Sequence, residues 1–280
     1  MVQEYAEGIV IAVNPVIFRL GPVVLRWYAV FIALGLTVGL YVVLLEARRK
    51  GLDEDAVYSC VLWSVVGGIL GGRVLHVLDK LDFYLQNQWN LFSLGQGGLA
   101  MWGSLLAGLL VASVCARRRR LSTMRLADAA VPGLLVGQII GRIGSVVNGE
   151  SWGAPTTSEW GFVYVHPDAM LPVANLGIPT HPYPVYEMAW HLLVLGVLWR
   201  LRERLEPDGA VLAVYLLSFS VGKLALTFVR QEGIFVFGLQ QAQVLAIVVF
   251  LFALPFLVYL FTVRPGSQGR AGDGQSAPSG

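Results

Sequence analysis

Charge is scarce in this chain. Only 14% of its 280 residues are Asp, Glu, Lys or Arg and 56% are hydrophobic, whereas a soluble domain carries about 25% charged residues. That balance excludes an ordinary water-soluble domain and points to an integral membrane protein. The formal net charge of +2 is too small for the electrostatic footprint of a nucleic-acid binder. Cysteine is nearly missing as well. Cys60 and Cys115 both lie in apolar runs, which excludes a disulfide framework and leaves two small buried hydrophobes. Of the 4 histidines, His166 and His181 lack zinc-ligand spacing. No metal or organic cofactor is indicated, and no phosphate loop, Ser/His/Asp arrangement or solenoid repeat stands out. The first residues, Met1 to Val10, have neither the basic region nor the small-residue cleavage site of a secretory signal. The first long apolar run is therefore expected to stay in the mature protein.

What is present is a succession of apolar runs. They predict seven transmembrane helices, at about 23–45, 57–78, 97–116, 126–147, 185–199, 210–229 and 239–263. Residues 1–22 fit an interfacial segment lying on the membrane before the first span, and the spans together form one domain, 23–263. Gly67, Gly68, Gly71 and Gly72 in the second run, and Gly137, Gly141 and Gly144 in the fourth, are spaced for close helix contact. The polar, aromatic stretch from Asp82 to Gln96 links the second and third spans. Residues 148–184 are rich in proline and hold Trp152, Trp160, Tyr164 and Tyr183, which predicts a small ordered head outside the membrane. The Gly/Ser/Pro-rich stretch 264–280 reads as a disordered tail.

Orientation follows from the basic residues. Arg48, Arg49, Lys50, Arg117–Arg120, Arg125, Arg200, Arg202, Arg204, Arg264 and Arg270 all fall on one side of a seven-span arrangement. By the positive-inside rule that side is cytoplasmic, so the N-terminus and the head lie outside and the C-terminus inside.

With that topology every span carries a polar group in its outer half: Arg26, Arg73 and His76, Gln96 and Trp102, Arg142 to Glu150, Tyr186 and Glu187, Arg230, and Gln240 with Gln241. A channel or transporter would hold its charges near the midplane or along the whole pore. This distribution describes a cavity at the level of the outer leaflet. Gln138, Arg142 and Ser145 share one face of the fourth span by i, i+4, i+7 spacing, and Lys223, Thr227 and Arg230 have the same spacing on the sixth. Two cationic stripes in one such cavity call for an anion. Glu150, Glu187 and Glu232 can supply part of it, as Arg–Glu pairs that lock helices together. A lipid phosphate, gripped by the fork geometry of arginine, is the functional alternative. His191, four residues after Glu187, reads as a hydrogen-bonded core histidine.

The densest polar stretch, Gly141-Arg142-Ile143-Gly144-x-x-x-Asn148-Gly149-Glu150-x-x-Gly153, resembles the signature of the prolipoprotein diacylglyceryl transferases. The resemblance runs from about residue 19 to 245. It takes in Gly21-Pro22 with Arg26-Trp27-Tyr28, Gly71-Gly72-Arg73, His181-Pro182-x-x-x-Tyr186-Glu187, Arg230 and Gln240-Gln241. It implies transfer of the diacylglyceryl group of phosphatidylglycerol to the lipobox cysteine of a prolipoprotein in a bacterial plasma membrane, with release of glycerol phosphate. Arg142, Arg230 and Glu150 are then the catalytic candidates. Tyr28, Arg73, Trp102, Arg142, Ser145, Asn148, Gly153 and Glu187 are the candidates for binding phosphatidylglycerol. The partners implied are that lipid and the signal peptides that carry a lipobox.

Four positions depart from the family pattern. Trp102 stands in place of a histidine, Ser145 in place of an asparagine, and Lys223 and Thr227 in place of an arginine and a glutamate. Trp102 is a hydrogen-bond donor only and takes no proton. His76 and His181 are the nearest alternatives for a base. A relative that binds phosphatidylglycerol or signal peptides without transferring lipid is the first rival reading, and a small-solute transporter the second.

Overall fold

The computed structural model describes residues 8–21, 23–86, 100–230 and 233–263. Gln96, Glu232 and the 264–280 tail lie outside them. The fold is mostly helical. Among the described residues five helices are long and apolar enough to cross a membrane: Trp27–Arg49 (α1), Glu54–Asp79 (α2), Thr123–Asn148 (α5), Ala210–Leu226 (α7, with a 3-10 turn to Val229) and Gln241–Val263 (α8). Leu81–Gln86 (α3) is a short turn of helix, and Met101–Arg118 (α4) and Tyr183–Leu201 (α6) pack among the long ones. Leu70, Leu110 and Phe252 are more than half exposed, as lipid-facing side chains are. The architecture is that of an all-α integral membrane protein.

Helix boundaries follow local chemistry. The Asp53 side chain caps α2 by accepting from the Asp55 and Ala56 amides, and Ser122 caps α5 through the Arg125 amide. Gly149 ends α5 in the left-handed region at φ +71, where glycine has no Cβ penalty. The first helix starts at Trp27, later than the apolar run that contains it. Val16–Leu20 (β2) and Val23–Arg26 (β3) form an antiparallel hairpin instead, turning at Gly21 with φ +57. β-Branched side chains favour that hairpin, and its ladder satisfies the main-chain polar groups before the helix takes over.

Two pairs of helices meet backbone to backbone. A Cβ on Gly39 would lie 2.7 Å from the carbonyl oxygen of Gly133, and one on Gly35 would lie 2.9 Å from that of Gly137. α1 and α5 therefore touch along a stripe where nothing larger than glycine fits. α2 and α4 meet likewise, Gly71 against Gly103 and Ala107, Gly72 against Ser104. Ser64 Oγ adds a hydrogen bond to the Gly108 carbonyl at 2.9 Å.

One cluster joins the two pairs: Val43 and Ala47 of α1, Val57 and Cys60 of α2, Ala116 of α4 and Leu126 of α5. It lies at the end of the bundle that carries the arginine runs, the basic end. The Cys60 and Cys115 thiols are in contact there, 2.8 Å apart. α5, α6 and α7 share a second cluster around Leu135, Leu198 and Val211.

Buried carboxylates also tie the basic end. Glu46 pairs with Arg49 at 2.8 Å and with Arg202. Asp128 accepts from the Gly209 and Leu212 amides at 2.8 and 2.9 Å and pairs with Lys50 at 3.5 Å. It thereby caps α7 from another helix.

At the opposite end, residues 149–182 fold into a head built on a small ladder of extended segments. Ile9–Ile11 (β1) runs parallel to Phe162–Tyr164 (β4). Phe162 bridges Thr180, Thr180 bridges Pro155, and Gly153 bridges Arg230. A last hairpin, Ile234–Val236 (β5) with Leu239–Gln240 (β6), leads into α8.

Candidate active site

Arg142, Ser145 and Asn148 sit in the last two turns of α5, and Glu150 and Ser151 in the turn after it. Gly144 lets α1 close on this helix, since a Cβ there would lie 2.9 Å from that of Phe31 and 3.2 Å from the Tyr28 Cα. After Gly149 the chain reverses, and the Glu150 carboxylate folds back onto the helix end. Ser145 Oγ donates to one of its oxygens at 2.9 Å and Asn148 Nδ2 to the other at 3.0 Å. Asn148 Oδ1 in turn accepts from Arg26 Nη1 at 3.2 Å, and the same nitrogen donates to the Asp168 carbonyl at 3.0 Å. Asp168 also pairs with Arg19 of the β2–β3 hairpin. Tyr28 faces Glu150 from α1. In the head, Tyr164 donates to the Val146 carbonyl at 3.0 Å. Burial first, and the Glu150 charge second, push its phenol above the ordinary range, so it stays a donor.

One helical turn further into the bundle Arg142 meets Glu187 of α6. Arg142 Nη2 lies 2.6 Å from Glu187 Oε2, and its Nη1 donates to Ser151 Oγ at 3.3 Å. Lys223 of α7 reaches the other carboxylate oxygen at 2.5 Å, and the Tyr183 hydroxyl donates to that same oxygen at 3.1 Å. Glu187 is buried, with a side chain 2% exposed, whereas Arg142 keeps 23%. A buried carboxylate is tolerable only with such partners, and removing one of them strands an uncompensated charge.

Arg230 approaches from a different direction. Its guanidinium carbon lies 5.1 Å from the Tyr183 ring centroid, a cation–π contact. Its backbone is extended and bridges Gly153, and Gln240 Nε2 donates to its carbonyl at 3.3 Å. Gly153 belongs there for steric reasons, because a Cβ would lie within 2.8 Å of both His181 and Val229. The helical stripe expected of Lys223, Thr227 and Arg230 is broken. α7 stops at Leu226, and the Thr227 hydroxyl turns back to the Lys223 and Leu224 carbonyls at 2.8 and 3.0 Å. Thr227 closes the helix instead of extending the stripe.

Gln138 also turns from the cluster to Tyr215, donating to its hydroxyl at 3.0 Å. His191 is buried as expected, but its Nδ1 has no hydrogen-bond partner among the described residues. Tyr183 joins the charged cluster through Glu187 and Arg230, which sequence reasoning misses, although its place four residues before Glu187 signals a shared face.

Arg73 and Trp102 belong to the α2–α4 pair. Arg73 lies 5.3 Å from the Tyr84 ring of α3, and Trp102, in the first turn of α4, is 36% exposed. The buried cluster that connects this pair to α1 and α5 is at the basic end. Among the described residues no group of three or more His, Cys, Asp or Glu is placed to hold a metal ion.

Arg26, Arg142, Lys223 and Arg230 thus gather around Glu150 and Glu187 at the head end of an apolar bundle. All of these residues fall within 15–259, the stretch matched by the family model for prolipoprotein diacylglyceryl transferase. The chain belongs to the prolipoprotein diacylglyceryl transferase family. A phosphatidylglycerol–prolipoprotein diacylglyceryl transferase of Lysinibacillus sphaericus (strain C3-41) is 31% identical over 255 residues, covering 90% of this chain and 93% of the relative. One of Acaryochloris marina (strain MBIC 11017) is 32% identical over 254 residues, with 90% and 92% covered. One of Synechocystis sp. is 30% identical over 271 residues, with 94% and 95% covered. Within this transferase family the chain is nearly full length against each of these relatives.

Proposed function

We propose that this chain transfers the diacylglyceryl group of phosphatidylglycerol to the lipobox cysteine of prolipoproteins, the first step of lipoprotein maturation. The observation that carries this reading is the convergence of Arg142 and Lys223 on one buried carboxylate, with Arg230 stacked beside it on Tyr183. A lipid phosphate is the anion such a cluster suits, and the thiol of a tethered peptide is a nucleophile that can reach its glycerol carbon.

In the reaction the sulfur bonds to the terminal glycerol carbon of the diacylglyceryl group. The bond from that carbon to the phosphate oxygen breaks, and its electron pair leaves with glycerol phosphate. Arg142 binds the phosphate, and Arg230 and Lys223 stabilise the charge that develops on it. Glu150, held by Ser145 and Asn148, orders the glycerol together with Tyr28, while Gly153 keeps the Arg230 strand in place. Arg73 and Trp102 contact the lipid from the α2–α4 side. A cysteine with a pKa of about 8.5 is mostly protonated at neutral pH, and the cationic field favours its thiolate.

For this activity α4 and α6 complete seven spans. The basic end lies in the cytoplasm, and the head, 148–184, lies outside. The protein is multi-pass in a bacterial plasma membrane. Trp102 in place of the family histidine favours a second reading, a relative that holds lipid or signal peptide without transfer. Purified protein, labelled phosphatidylglycerol and a lipobox peptide separate the two. Transfer that disappears in Arg142→Ala supports the enzyme, whereas Arg142-dependent lipid binding without transfer overturns it.

A further inference from the structure

Any phosphate that reaches Arg142 meets a carboxylate already bound there. The two oxygens of Glu187 are held unequally. Oε1 has both Lys223, at 2.5 Å, and the Tyr183 hydroxyl, at 3.1 Å. Oε2 has the Arg142 ion pair at 2.6 Å and no further hydrogen-bond donor among the described residues. Arg142 is also the more exposed of the two cations, 23% against 17% for Lys223. The side that an incoming anion reaches is therefore the side on which Glu187 is held more weakly. Letting go needs little motion, because the last torsion of a glutamate is broad and lacks sharp staggered wells.

We propose that Glu187 is an internal competitor for the lipid phosphate. It releases Arg142 to the phosphodiester while keeping Lys223 and Tyr183, and it takes Arg142 back to expel glycerol phosphate. The proposal rests on the transferase reading and concerns its last step. Arg142 and Lys223 share the single negative charge of Glu187. A phosphodiester brings one negative charge, but the phosphate monoester that departs carries about −1.5 to −2 at neutral pH. The added charge makes the product the tighter ligand of the two cations. A carboxylate tethered beside Arg142 acts at the high effective concentration of an intramolecular partner, and so it competes with a product that is free to diffuse away. Glu187 is a positioning residue in this account and touches no reacting atom.

The test uses full-length protein and two variants, Glu187→Gln and Glu187→Asp, with glycerol phosphate as the probe. Its affinity is measured directly by calorimetry and as inhibition of transfer. Glu187→Gln should bind glycerol phosphate about tenfold more tightly or better, as expected for loss of a competing buried charge. It should also show a lower KM for phosphatidylglycerol, a lower kcat and a burst of product in the first turnover. Glu187→Asp keeps the charge but is too short to span both cations, so it should tighten glycerol phosphate binding in the same direction. It stands in if the glutamine variant fails to fold. Unchanged or weaker glycerol phosphate binding in the folded variants would make Glu187 a structural lock and overturn the proposal. Should the wild type transfer no lipid, the transferase reading falls separately, and the calorimetric comparison still decides whether Glu187 competes with a phosphate.

Discussion

The guanidinium of Arg230 lies over the ring of Tyr183, 5.1 Å from its centroid, while the hydroxyl of the same tyrosine donates to Glu187. One side chain thus serves two charges, its face a cation and its edge an anion. Tyr183 is fully buried, so neither role is exchanged with water.

The two roles separate by substitution. Tyr183→Phe keeps the platform for Arg230 and removes one hydrogen bond to a charged group, worth about 1.5–3 kcal/mol. Transfer should fall about tenfold. Tyr183→Ala also removes the platform and should cost at least tenfold more. Initial rates with a lipobox peptide measure both, and equal losses would mean that the ring contributes nothing.

Arg142→Lys keeps the charge but not the fork. Arg142 uses one terminal nitrogen for Glu187 and the other for Ser151, a division that a single ammonium cannot reproduce. The variant should remain folded and lose at least about tenfold in kcat/KM, the scale of one charge-assisted hydrogen bond. Activity within twofold of wild type would reduce Arg142 to a point charge.

Trp102, in the first turn of α4, is 36% exposed, and the proposed function gives it a contact with the lipid. Trp102→Ala should raise the KM for phosphatidylglycerol about tenfold while kcat stays within about threefold, the signature of lost ground-state binding. A collapse of kcat at constant KM would instead give position 102 a part in the chemistry.

Glycines in this bundle differ sharply in what surrounds them. A Cβ on Gly71 would overlap Ala107 and the Gly103 carbonyl, whereas nothing lies within 4 Å of a Cβ on Gly196. Gly71→Val should destabilise the protein by about 1–3 kcal/mol through overpacking. Gly196→Ala, in the middle of α6, should stabilise it by up to about 1 kcal/mol through helix propensity. Thermal unfolding in detergent orders the two, and the reverse order would mean that α2 and α4 do not meet along this stripe.

The long helices were legible in the sequence because an apolar run of membrane length is wide enough to cross the hydrocarbon core and too apolar to rest in water. The start of the first was not, because Val23 to Arg26 suits a strand and a helix equally and its pairing with Val16 to Leu20 is decided by the intervening turn. The charged cluster was legible where charge interrupts apolar runs, at Arg142, Glu187 and Arg230. Which cation meets which carboxylate was not legible, since that depends on how α5, α6 and α7 rotate against one another. The Lys223 to Arg230 spacing misled because helical periodicity was carried past Leu226, where the helix ends. Asp128, an acid near the start of a span, gave no local sign that its partners lie on α7.

Asp128 has a consequence for how the protein is made. The amides of Gly209 and Leu212, at the start of α7, find their acceptor on α5, which leaves the ribosome well before them. Because synthesis runs from the N-terminus, the acceptor is already in the membrane when those donors emerge, and a late-arriving helix docks onto a finished one. A circular permutant that began at α6 and placed α5 last would reverse that order, and α7 would enter the bilayer without its cap.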